Sequence, residues 1–356
     1  MDKHPFWSAL ASAAVPYIPG EQPRDRVFIK LNTNENPYGP SPRISADLLA
    51  KEPFQLYPEP TCYHLRKVIA EGYGLTEDEV FAGNGSDEVL GFAFGAFGDE
   101  NHPFAFPDIT YSFYPVWTDF WRTIPVQIVP LREDLSIDLK SFPDCDGVSV
   151  IANPNAPTGI ALSAQVLKDY LAEHPNRLLI VDEAYVDFGA ESMVPYIHEF
   201  PNLLVVQTFS KSRALAGLRL GFAMGQKELI DALIRIKDSF NSYTVSRLTQ
   251  VCGALSFEDS AYFNETVSRI MHTREQAKAD LRSLGFQVTD SKANFLWVLH
   301  PSVSGSDLYT ALREEGILVR HFSAPALTDY LRITVGTDEE MEALKKALIK
   351  ILEKTS

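Results

Sequence analysis

Thr208-Phe209-Ser210-Lys211-Ser212-Arg213-Ala214-Leu215-Ala216-Gly217-Leu218-Arg219-Leu220-Gly221 places one lysine at the mouth of an apolar strand. The strand is Leu203-Leu204-Val205-Val206, a continuous apolar run that reads as buried. A lysine held there can attack an aldehyde and form a Schiff base. Ser210 before it and Arg219 after it offer donors to a phosphate.

Two more apolar runs end in the same way. Val148-Ser149-Val150-Ile151-Ala152 leads into the proline-punctuated turn Asn153-Pro154-Asn155-Ala156-Pro157-Thr158-Gly159, and Leu178-Leu179-Ile180-Val181 ends in Asp182. Three buried strands thus release polar residues at their carboxyl ends, which in an open parallel sheet is the edge where ligands bind. Upstream, Gly83-Asn84-Gly85-Ser86-Asp87-Glu88 precedes Val89, Leu90, Ala93, Phe94 and Phe97, an apolar pattern at helical spacing. Ser86 or Asp87 is expected to cap that helix, whose free backbone N–H groups suit a phosphate. A Schiff-base lysine beside a phosphate cradle suggests pyridoxal phosphate.

The set GNGSDE, NPNAPTG, VDEAY, TFSK and AGLRLG, in this order, resembles the fold-type I pyridoxal-phosphate-dependent aminotransferases, and most of all the histidinol-phosphate aminotransferase family. The likeness runs from Tyr17-Ile18-Pro19-Gly20 and KLNTNENPYGPS (residues 30–41) to LRITVGT (residues 331–337). It implies an α/β fold, with a large domain built on a mostly parallel sheet flanked by helices and a smaller α+β domain at the carboxyl end. It also implies transfer of an amino group between histidinol phosphate and 2-oxoglutarate, as in histidine biosynthesis. A threonine-phosphate decarboxylase or an aromatic or broad-range aminotransferase would carry the same motifs, while against a catalytically silent binding module stand Lys211, Asp182 and Arg219, all present.

The resemblance assigns roles by position. Lys211 is the Schiff-base lysine and shuttles a proton. Asp182 meets the protonated pyridine nitrogen, a carboxylate after four apolar residues being costly without a positive partner. Tyr185 hydrogen-bonds the phenolic oxygen of the cofactor. Gly85, Ser86 and Asp87 through their backbone, with Ser210 and Arg219, bind the phosphate, and Tyr111 stacks on the ring. Arg332 grips the anion of the substrate, with Arg320, Tyr17 and Asn34 beside it, and Tyr57 reaches the cofactor phosphate of a neighbouring subunit in a homodimer. One position departs from the family, which commonly carries asparagine before the PTG where this chain has Ala156. Either Tyr185 alone then serves the phenolic oxygen, or Asn153 or Asn155 reaches it from a shifted loop.

Composition narrows the partners. A chain of 356 residues, 45% of them hydrophobic, can bury a sizeable core. A net charge of −15 repels nucleic acid and anionic membranes, so an anionic substrate needs a local cationic pocket. Cys62, Cys145 and Cys252 show no CxxC spacing, which fits a reducing cytoplasm and no structural zinc. Residues 1–7 lack the pattern of a secretory signal and no stretch has membrane-spanning length. The expected divisions are an amino-terminal arm (1–27), a large cofactor-binding domain (28–241) and a small domain (242–356). The last is marked by a helix over 261–284, strands at 286–289, 294–298 and 317–320, and a closing helix from 338.

Overall fold

The computed structural model describes residues 6, 8–23, 26–121 and 124–355; residues 1–5, 7, 24 and 25 of the expected arm lie outside the described residues. A short strand, β1 (Ile29–Leu31), is followed by β2 (Val80–Gly83), β3 (Phe104–Pro107), β4 (Val126–Val129), β5 (Gly147–Ala152), β6 (Arg177–Asp182), β7 (Leu203–Thr208) and β8 (Gly221–Gly225). The last seven form one sheet in the order β2-β8-β7-β6-β5-β3-β4. Pairing is parallel from β7 across to β4, and only β8 runs against its two neighbours. Every residue of β5 and β7, and nearly every one of β6, is buried, as continuous apolar strands covered by helices on both faces require.

Two apolar clusters lie on opposite faces of this sheet. Leu179, Val181, Leu203 and Val205 point into one with Ile69 and Leu167, while Val148, Val150, Ile180, Leu204 and Val206 point into the other with Phe94 and Phe104. The alternation follows from the two-residue period of a strand.

The carboxyl end adds β9 (Gln287–Val288), β10 (Phe295–Leu299), β11 (Ile317–His321) and β12 (Tyr330–Thr334), which join β1 in a second sheet of order β1-β11-β12-β10-β9. Helices Ser260–Ser283 and Asp338–Thr355 pack near it around Leu296, Leu308, Ile333 and Leu348. Two segments lie across the expected divisions. Strand β1 pairs in parallel with β11, so residues 29–31 of the expected large domain sit in the second sheet. Val245 and Ala254 are buried in the core of the first sheet, because helix Arg247–Glu258 packs on helix Tyr63–Tyr73. Among the described residues no helix is long and apolar enough to cross a membrane.

Candidate active site

Strands β5 and β6 end level, Ala152 opposite Asp182, and β7 runs two residues past Val206, which lies opposite Asp182, so the loops that follow them meet at one edge. There a cavity of about 570 Å³ opens between the two sheets. Its wall includes Lys211, Asp182, Tyr185, Ser210 and Arg219 from the first sheet, with Ser86, Asp87 and Tyr111 above them. Arg320 and Arg332 of the second sheet, with Tyr17 and Asn34, close the opposite side.

Lys211 is half-buried, its Nζ donating to the carbonyl of Thr33 at 3.0 Å and lying 5.6 Å from the centre of the Tyr185 ring. Asp182 is only 5% exposed. Its Oδ2 accepts from the hydroxyl of Tyr114 at 2.9 Å and its Oδ1 from the amide of Ala184 at 3.1 Å. No cation lies within ion-pair distance among the described residues. Burial pushes its carboxyl up to about 6, with the Tyr114 bond working against that rise. Such a carboxylate is completed by a ligand that brings a proton or positive charge. The Tyr185 hydroxyl accepts from the Asn34 amide at 2.9 Å, and Asn34 in turn is held at φ 58° by Thr334 and by the Asn294 amide. A left-handed backbone is one that asparagine tolerates.

The opposite corner suits a phosphate. At the start of helix Gly85–Phe97 the cap residue Asn84 makes no side-chain cap bond, its own backbone amide donating to the Glu88 carboxylate at 2.6 Å; Ser86 and Asp87 do not act as the expected caps. The Asp87 carboxylate is instead engaged by Arg219 Nη2 at 3.0 Å and by the Tyr111 hydroxyl at 2.7 Å, which leaves the helix dipole open at that end. Gly85 lies against the guanidinium, since a Cβ there would come within 2.5 Å of Arg219 Nη2. Arg219 Nη1 is 3.5 Å from Ser210 Oγ.

Arg332 and Arg320 stand opposite each other on β12 and β11. Neither has a carboxylate partner among the described residues. Arg332 Nη2 donates to the carbonyl of Asn32 at 3.2 Å, while its buried Nε has no partner. Burial lowers its hold on its proton. Arg320 donates to the carbonyls of Pro19 and Ile18 at 3.3 Å each, and Tyr17 stacks on Phe113 at 4.8 Å. Two adjacent guanidinium groups without counter-charge, in a chain of net charge −15, make a receptor for an anion.

Three expected residues do not line the cavity: Gly85, which lies against Arg219, and Asn155 and Tyr57. Asn155 is turned towards the loop after β3, accepting from Thr110 at 2.8 Å and donating to Ile109 O at 2.9 Å; Asn153 is likewise spent on both backbone groups of Leu162. The wall at this point is Ala156. Tyr57 is on the surface, 78% exposed and stacked on Tyr243 at 4.8 Å. Conversely, Tyr114, Thr33 and Asn294 support the site although the sequence assigns none of them a role. Tyr114 alone had a signal, its spacing of three from Tyr111 in an aromatic-rich run.

The sequence model of the family described as aminotransferase class I and II matches residues 26–348. The histidinol-phosphate aminotransferase of Acetobacter pasteurianus is 51% identical over 350 residues, 98% of each chain. Among solved structures, the histidinol-phosphate aminotransferase from Sinorhizobium meliloti in complex with pyridoxal-5'-phosphate superposes with a TM-score of 0.87 at 21% identity, over 100% of both chains. The L-threonine-O-3-phosphate decarboxylase from Porphyromonas gingivalis superposes with a TM-score of 0.79 at 22% identity, over 91% of this chain and 99% of the other. At these identities the superpositions show the fold alone, and it is the expected fold-type I architecture.

Proposed function

The chain belongs to the class I and II aminotransferases, and from that premise we propose that it is a histidinol-phosphate aminotransferase working with pyridoxal phosphate. It moves an amino group between histidinol phosphate and 2-oxoglutarate. The observation that carries this reading is the 51% identity with a histidinol-phosphate aminotransferase along 98% of both chains. The paired arginines fit the same reading, because one guanidinium cluster can take either a phosphomethyl group or the α-carboxylate of glutamate.

Pyridoxal phosphate, when bound, supplies an electron-withdrawing ring that stabilises the negative charge left on the substrate carbon. The protein's own groups do the rest. Lys211 Nζ holds the cofactor and carries the proton away from that carbon. Asp182 keeps the ring nitrogen protonated, and Tyr185, steadied by Asn34, donates to the phenolic oxygen. With Asn153 and Asn155 spent elsewhere and a methyl group at Ala156, Tyr185 serves that oxygen alone. The N-terminal turn at Gly85, Ser86 and Asp87, with Ser210 and Arg219, takes the phosphate, and Tyr111 covers the ring face. Arg332 and Arg320 fix the substrate anion, and Tyr17 shields it from water.

A homodimer belongs to this proposal, in which Tyr57 completes the phosphate site of a second copy. So does a cytoplasmic setting, in keeping with three free cysteines. The test is steady-state assay of the cofactor-loaded protein with histidinol phosphate and 2-oxoglutarate. Stoichiometric glutamate is expected. Release of carbon dioxide from threonine phosphate without glutamate formation would replace transamination by decarboxylation.

A further inference from the structure

Tyr114 opens the helix Tyr114–Trp121 and is fully buried. Its ring is packed by Phe94, Phe106, Tyr111 and Trp117, with centroids 5.6–6.4 Å away. A phenylalanine would satisfy such a shell equally well. What the hydroxyl adds is one hydrogen bond, to Asp182 Oδ2 at 2.9 Å. Burial and the carboxylate both raise the affinity of this hydroxyl for its proton, so it stays a donor at all working pH. Tyr114 does not line the cavity, so whatever it does for a ligand passes through Asp182.

We propose that Tyr114 is a positioning residue: with the Ala184 amide on the other oxygen, it locks the rotation of the Asp182 carboxylate and holds it ionised for the ring nitrogen of the cofactor. The inference rests on the reading that pyridoxal phosphate occupies this cavity. Its physical core is the choice of donor. An arginine or protonated histidine behind Asp182 would also hold it ionised, but would neutralise the charge that the ring nitrogen needs. A neutral hydroxyl supports the carboxylate and leaves its charge unspent. The other charged groups facing Asp182 are Asp87, which is itself tied to Arg219 and Tyr111, and Lys211 across the cavity. Tyr111 and Tyr114, three residues apart, thus each steady one carboxylate of the site.

The test compares wild type with Tyr114→Phe, each alone and combined with Asp182→Asn, by titrating pyridoxal phosphate labelled with ¹⁵N at the ring nitrogen. Tyr114→Phe is expected to weaken binding about tenfold, the order of one hydrogen bond to a charged group, and to move the ring ¹⁵N signal towards the unprotonated position. In the Asp182→Asn background it is expected to change neither. An unchanged dissociation constant and ¹⁵N signal in Tyr114→Phe would overturn the proposal, as would an equal loss in both backgrounds, the mark of mere packing. Wild type that takes up no pyridoxal phosphate would instead overturn the reading of the cavity on which the proposal stands.

Discussion

Asp182 and Arg332 carry opposite charges into the cavity, and each lacks the partner that would normally accompany it. For Asp182 the consequence is a carboxyl raised from 3.8 to about 6, which in the ionised state costs the folded, cofactor-free protein about 3 kcal/mol. Because the folded value is the higher one, this cost is present above pH 6 and is relieved as pH falls towards 4. Cofactor-free protein is therefore expected to gain thermal stability relative to Asp182→Asn over that interval, while its affinity for pyridoxal phosphate falls. Unfolding curves at stepped pH, with and without the cofactor, check both signs. For Arg332, replacement by alanine is expected to lower kcat/KM for both histidinol phosphate and glutamate roughly tenfold or more, since a hydrogen bond to a charged group is worth about 1.5–3 kcal/mol. A loss confined to one substrate would mean that the two anions sit in different places. Asp182 is legible in the sequence because it closes a short apolar run, whose burial dictates what the last side chain can do, whereas Arg332, in the middle of β12, is reached only through the family resemblance. Asn155 is not legible, since neighbouring loop residues face different ways and only the Thr110 and Ile109 contacts, over forty positions away, decide which. Tyr114 and Asp182 are 68 positions apart, a pairing that no local pattern contains.

Elements place these residues by close approach of backbones. Gly221 on β8 lies directly beneath the start of helix Gly85–Phe97, where an added Cβ would come within 2.2 Å of the Ser86 amide nitrogen. The neighbour is backbone and cannot rotate away. Gly221→Ala is expected to lift the helix start from the sheet, lowering stability by about 1–3 kcal/mol as overpacking does and weakening phosphate retention with it. Thermal unfolding and pyridoxal phosphate titration measure the two effects, and a variant that loses neither would remove the helix start from the binding site. The strands themselves follow the apolar runs closely, β7 exceeding its expected residues only at Gln207 and Thr208. Helix capping was misread because Ser86 and Asp87 suit a cap by type, whereas Arg219 and Tyr111, brought by other elements, claim the Asp87 carboxylate.

At the scale of the whole molecule, two sheets meet over the cavity that holds Lys211, and several large apolar side chains are left exposed. Leu56, Tyr57 and Phe240 are 58%, 78% and 75% exposed, with Phe54 and Tyr243 nearby in chain. In the proposed homodimer these residues face the second copy. Tyr57→Asp is expected to shift the protein from dimer to monomer in sedimentation velocity and to lower affinity for pyridoxal phosphate at the same time. A monomeric wild type would remove the shared site from the account. The division of the chain was harder to read than the site, because β1 crosses to the second sheet and helix Arg247–Glu258 returns to the first, both through contacts far apart in sequence. The most direct test of the central claim follows the visible absorbance of the cofactor-loaded protein after histidinol phosphate is added with no oxo-acid present. A stoichiometric change to the pyridoxamine form, reversed by 2-oxoglutarate and absent in Lys211→Ala, is the expected result. A spectrum that histidinol phosphate leaves unchanged while another amine converts it would contradict the assignment.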